Sequence, residues 1–309
     1  MAAALVAAAC SSAPGASDSA APKAEDIRSL RWLDKNADKV AFLTQLPPAC
    51  ETLAASPELA RKRELGRIAF ESPALLGGAA ARMELSCASC HRNGRGNPDF
   101  FVEGVSDKPG AADVTSSIFS KVRGDGNFNP KPIPDIALRD GKQIKDRTGA
   151  EFHAKVHGLI VEEFDGQEPS AAVIDAVIAY LDGLAPSACV VGAANAPLNL
   201  ATDVDAARAA YEAGETPGFD PATRVLYLRA ARFRLERIYE RLADPSLGNE
   251  RRALLLLSDR IGAMAEAART GRPEKGAQPD WARLKATLQA VEPKTLYDPG
   301  EIRAAFAHQ

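Results

Sequence analysis

The chain has 309 residues, of which 46% are apolar and 26% charged, with a net charge of −3. That length suits two domains rather than a single small one. The near-neutral, slightly acidic balance speaks against nucleic acid as a partner, which calls for a basic face. Aromatic residues are few (6%) and Ala, Leu and Arg abundant, so a helical protein is expected.

Residues 1–22 are rich in Ala, Ser, Gly and Pro, and the first basic residue is Lys23. They read as an export leader and linker: a short apolar run, then Ala7-Ala8-Ala9-Cys10, a sequence similar to a bacterial lipobox. On this reading Cys10 carries lipid and anchors the protein to a membrane in the periplasm. A larger aliphatic residue is usual at the first lipobox position, and the positive n-region is missing, as an upstream start codon would explain. No other segment reaches the ~20 apolar residues of a membrane span.

Residues 23–55 are expected to hold one N-terminal helix over 26–46, in which Ile27, Leu30, Ala37, Val40 and Ala41 fall at helical spacing, ended by Pro47-Pro48. Trp32 reads as a packing residue. A second helix opens at Ser56-Pro57, an N-cap followed by proline in the first turn, and runs through Phe70. Gly66 inside it is unfavourable for a helix by about 1 kcal/mol relative to Ala. Close approach of another helix accounts for it, and the apolar stripe of 169–184 is the expected partner.

Next comes Cys87-Ala88-Ser89-Cys90-His91. This CxxCH pattern is the attachment signature of a c-type haem: each thiol adds to a vinyl group, and the adjacent imidazole reaches the iron as proximal ligand. Zinc would want a second Cys or His pair, and a redox dithiol would want a strand-to-helix frame; neither accompanies it. Cys50 and Cys189 flank the motif. In an oxidising compartment they would pair as a disulfide, and the alternative is two separate buried thiols.

Gly66 and Phe70 before the motif, with Tyr180 well after it, resemble the crossed terminal helices of a class I cytochrome c. The run Leu65-Gly66-Arg67-x-x-Phe70, Pro73 and Ser86-Cys87-Ala88-Ser89-Cys90-His91 is more narrowly similar to a haem domain of the bacterial di-haem cytochrome c peroxidases, which include the MauG-type proteins. The likeness covers roughly residues 60–186 and implies a cytochrome c-like helical haem domain over 56–186. The chain departs from that family in carrying one CxxCH where the family carries two, so one covalent haem is expected.

Residues 92–150, rich in Gly, Pro, Asn and Asp, read as long loops around the haem edge. Phe100, Phe101, Phe119, Phe128 and Ile133 are the expected pocket lining, and Arg92, Arg95 and Arg123 are candidates for the haem carboxylates. For the sixth iron position, His157 and His153 share a face of a helix expected over 151–160, and Met83 is a weaker choice; an open site is the alternative. Glu162, Glu163 and Asp165 follow as candidate acid–base groups for peroxide cleavage.

Residues 187–309 are expected to form a helical accessory domain with helices over 224–242, 250–269 and 279–291, each with an apolar stripe. Five arginines cover the rest of the first of these, a solvated face or a surface for an acidic redox partner. The whole reads as all-α. The first functional expectation is an exported mono-haem cytochrome that carries single electrons for a redox partner protein or a quinone-linked donor. The alternatives are a peroxidase-like enzyme that binds hydrogen peroxide at an open distal face, and a haem-bearing subunit or sensor whose helical domain binds a partner.

Overall fold

The computed structural model describes residues 21–116, 118–139, 145–190, 192–272 and 278–307; Cys10 and His308 lie outside them. The single helix expected over 26–46 is not formed. The chain instead makes two short 3-10 turns, Ala24–Asp26 and Arg28–Trp32, and then helix α1, Lys39–Thr44. Backbone groups around Leu33 are spent on a loop: Phe101 N donates to Trp32 O (3.1 Å), and Asp34 N donates to Asp99 O (2.8 Å). Asp34 and Asp38 turn the chain with their side chains, accepting from Asn36 N and Ala41 N. Such Asx contacts compete with a continuous helix.

After strand β1 (Gln45–Leu46) comes α2, Pro57–Phe70, whose N-terminus is capped as expected: Ser56 Oγ accepts from Leu59 N at 3.2 Å. Short helices α3 (Pro73–Leu76), α4 (Gly78–Arg82) and α5 (Cys87–Cys90) follow. The long loops that follow carry a 3-10 turn, Arg92–Gly94, and the paired strands β2 (Ala111–Ala112) and β3 (Lys131–Pro132). Helix α6, Ala150–Gly158, continues into a wider π-type turn, Leu159–Glu163, and α7 spans Ala171–Gly183. Helices α2 and α7 cross at Gly66. A Cβ there would lie 1.9 Å from Ala176 O, so only glycine permits the approach. Beside the crossing the Phe70 and Tyr180 rings meet edge-on, 5.4 Å between centroids. Cys50 and Cys189 are joined in a disulfide.

Strand β4 (Ala196–Pro197) pairs antiparallel with β1, and α8 (Leu200–Gly214), α9 (Pro221–Glu240), α10 (Gly248–Thr270), α11 (Trp281–Gln289) and α12 (Pro299–Phe306) complete the chain. Three of these lie within a few residues of the expected helices. Helix α8 was not anticipated, although Asn199 and Thr202 form a reciprocal cap at its start. The protein is mostly helical, with only small sheets.

One buried cluster joins Ile68, Val177 and Tyr180 to Val204 and Tyr211 of α8, Leu235 and Ile238 of α9, and Leu254 of α10. The expected boundary at 186–187 therefore divides the sequence without dividing the core. Polar contacts cross it too. Tyr227 Oη donates to Leu65 O (3.3 Å), the Ser170 and Thr223 hydroxyls bond (2.7 Å), and Arg234 pairs with Glu71. No helix among the described residues is long and apolar enough to cross a membrane.

Candidate functional site

Helix α5 is a single turn. It begins where Ser89 Oγ accepts from Ser86 N (3.1 Å) and closes where His91 N donates to Cys87 O (2.9 Å). Residues three apart on a helix share a side, so the turn brings Cys87 and Cys90 together. Both line a cavity of about 220 Å³, and His91 lines it beside them. Its wall is almost wholly apolar: Phe70, Leu75, Phe100, Phe119, Val156, Ile160 and Val177 contribute. Phe100 and Phe119 are there as expected. Phe128 is exposed instead, and Ile133 packs on the cluster behind the cavity. Trp32 belongs to that same buried cluster, with Leu76 and Phe100.

His91 Nδ1 lies 3.1 Å from the Pro134 carbonyl. A carbonyl only accepts, so Nδ1 carries the hydrogen and Nε2 is left with its lone pair. This second contact selects the tautomer and the ring orientation that a metal ligand needs. Burial pushes the His91 pKa down to about 4, against the opposing pull of the Pro134 carbonyl and Asp135, so the ring is neutral at physiological pH. Burial likewise pushes both thiols up to about 12, with Cys87 adding to the effect at Cys90. An exchanging dithiol works as the thiolate, a form this cavity disfavours. Two thiols and one neutral imidazole on a single apolar wall fit a covalently held macrocycle instead.

The histidines expected on the opposite face are not there. His157 Nε2 lies 2.8 Å from Glu168 Oε1, and His153 Nε2 lies 3.8 Å from Asp175, on half-exposed to exposed surface. The reason is helical phase. The apolar residues Phe152, Val156 and Ile160 turn toward the cavity, which rotates positions 153 and 157 away from it. Met83 is exposed at the end of α4, and Met264 packs against the main core from α10.

The expected propionate partners do not reach this cavity either. Arg95 pairs with Asp135, Arg123 with Glu162 and Glu163, and Arg92 donates to main-chain carbonyls. None of the three lines this cavity, and neither do Glu162, Glu163 or Asp165. The polar residues that do reach it went unnoticed in sequence. Lys155 lies three residues after Phe152 on the inward side of α6. Buried Arg147 donates to the carbonyls of Leu181, Leu184 and Ile136, tying the end of α7 to the loop wall. The Phe152–Lys155–Val156 spacing was the available signal for Lys155; Arg147 sits in a loop, where no periodicity marks it.

No protein family, no curated protein and no solved structure matches the chain.

Proposed function

We propose that this is an exported c-type haem protein, with one haem tethered by Cys87 and Cys90 and ligated by His91, that passes single electrons. One observation carries the reading: the two thiols and the Nδ1-protonated imidazole of one CxxCH turn converge on one apolar cavity. When bound, haem supplies reversible one-electron chemistry at iron. The chain's own part is to tether, to orient and to exclude water. Pro134 holds the His91 ring, and the Phe70, Phe100 and Phe119 walls keep the site dry, conditions that tune a haem potential. The crossing of α2 and α7 at Gly66, with Phe70 against Tyr180, supports a cytochrome c-like haem module related to the di-haem peroxidases. The Cys50–Cys189 disulfide supports export to an oxidising compartment such as the periplasm, with Cys10 as lipid anchor. A redox partner protein or a quinone-linked donor supplies the electrons.

A second reading has its own support. Among the described residues no Met lines the cavity and no His other than His91. That favours an iron whose sixth position accepts a small ligand such as hydrogen peroxide, with Lys155 and Arg147 as the cationic groups in reach of the cavity.

Visible spectroscopy tests both. The pyridine haemochrome of the purified chain is expected to give one c-type haem per chain, and its absence would remove the haem reading. A reduced spectrum that shifts with CO supports the ligand-binding form. A low-spin spectrum indifferent to CO and peroxide supports the simple carrier.

A further inference from the structure

A second cavity, of about 610 Å³, lies behind α5. Ala88 and Ser89, the two residues between the cysteines, line it, and the cysteines do not. Its far wall comes from α8 and α9. Unlike the first cavity it is charged.

The carboxylates on this wall are already engaged. Glu64 and Glu71 pair with Arg67, Glu71 also with Arg234, and Glu84 with Arg28. Asp205 pairs with Lys285 (2.5 Å), and Asp203 accepts from the Tyr297 hydroxyl (2.5 Å). Three arginines of the same wall, Arg92, Arg237 and Arg241, form no ion pair among the described residues. They are close together. Arg92 Nη2 donates to Phe42 O and Gln45 O (both 2.8 Å), and Arg241 Nη1 donates to Leu43 O (2.7 Å), so both guanidinia meet at the end of α1. Arg237 is one helical turn before Arg241 on α9. It packs on the Phe233 ring at 5.9 Å and makes no hydrogen bond among the described residues.

Burying unpaired charge is unfavourable. Burial, then Arg237, push Arg92 down to about 10, with Asp99 opposing and Arg241 adding a smaller push. Asp203 under the Arg241–Tyr297 contact, Asp99 near Arg92 and Glu71 near Arg237 soften these charges without forming an ion pair with them. Each guanidinium has five N–H donors and most of these remain unused. Trp32, Phe42 and Phe233 give the same cavity apolar ground for a carbon skeleton.

We propose that this cavity binds a small oxyanion, a carboxylate or a phosphate, gripped by Arg92, Arg237 and Arg241. Guanidinium forks match both groups in geometry. The inference does not rest on the haem reading, and the haemochrome and the following experiment fail independently.

The test is thermal unfolding of the purified full chain with inorganic phosphate or with succinate, against sodium chloride at equal ionic strength. A saturable rise in Tm of roughly 5 °C is expected with the anion well above its Kd. A rise with phosphate alone identifies a phosphate site, with succinate alone a carboxylate site, and with both a general oxyanion site. Arg237→Gln removes no hydrogen bond of the fold and is expected to abolish the rise. Arg208→Gln, on exposed α8 surface and paired with Glu212, is expected to keep it. No saturable rise with either anion, or an undiminished rise in Arg237→Gln, would overturn the proposal.

Discussion

Helix α5 has one side on each of two cavities. On one side Cys87 and Cys90 face an apolar wall, and every titratable group of the motif is driven to its neutral form: His91 down to about 4, the thiols up to about 12. On the other side Ala88 and Ser89 face a wall of arginines and carboxylates. There Glu71 stays ionised. Burial acts to raise its pKa, but Arg234 and Arg67 outweigh burial and hold it below the ordinary carboxylate value. Both environments are largely buried. What separates them is whether opposite charges are supplied within reach, which decides whether a buried group keeps or loses its charge.

The strongest way to break this comparison is to replace the two thiols. Cys87→Ser with Cys90→Ser is expected to abolish covalent haem entirely, read as loss of haem stain in a denaturing gel. The same protein should keep its phosphate or succinate response, because the charged cavity shares no thiol. Loss of both signals would show that the two cavities are one functional unit.

On the charged side, Glu71→Gln leaves buried Arg234 without its carboxylate and Arg67 with Glu64 alone, and is expected to lower stability by about 3 kcal/mol at pH 7 in urea unfolding. The pH dependence has a definite sign. A depressed folded-state pKa stabilises the fold above the ordinary carboxylate value, and the gain is lost as pH falls through the depressed one. The gap between wild type and Glu71→Gln should therefore hold at neutral pH and narrow only below about pH 4.5. A gap that persists unchanged at pH 3 would place the effect in packing rather than charge.

On the apolar side, Gly66→Ala pushes a methyl group into the Ala176 carbonyl, and the helices must part. A loss of about 2 kcal/mol is expected, typical of overpacking, together with a shifted haem spectrum, because Phe70 and Val177 on these helices line the cavity. A spectrum unchanged at lowered stability would uncouple the crossing from the site. The smallest effect is expected from His153→Ala and His157→Ala. Both side chains face away from the cavity, so the visible spectrum should not change. A lost or shifted band in either would put that histidine on the iron.

The local features were legible from the residues alone. Ser56-Pro57 announces α2, Gly66 announces a close crossing, and the alternation of apolar positions announces α9 and α10, since each rests on neighbours within one or two turns. Failures fall where partners are far apart in sequence. Trp32 and Asp34 leave the expected N-terminal helix to bond the loop at 99–101. Residue type points to His153 and His157, whereas Phe152, Val156 and Ile160 set which side of α6 turns inward. Arg28 reaches Glu84, Glu236 and Glu240, and Arg234 reaches Glu71, pairings between residues up to 212 positions apart that no local pattern encodes.

By itself, then, the sequence determined that Cys87, Cys90 and His91 share one side of the chain, because a single helical turn suffices to bring two thiols and an imidazole together. It also determined that the protein is helical, because propensity and apolar period act over short distances. The tertiary structure decided what faces that turn. The rotation of α6 follows from burying its apolar stripe, so Lys155 borders the cavity while His153 and His157 of the same helix do not. The cluster of Arg92, Arg237 and Arg241 exists only because α1, α5 and α9 are packed together, and an electrostatic environment is a property of that packing rather than of any one segment.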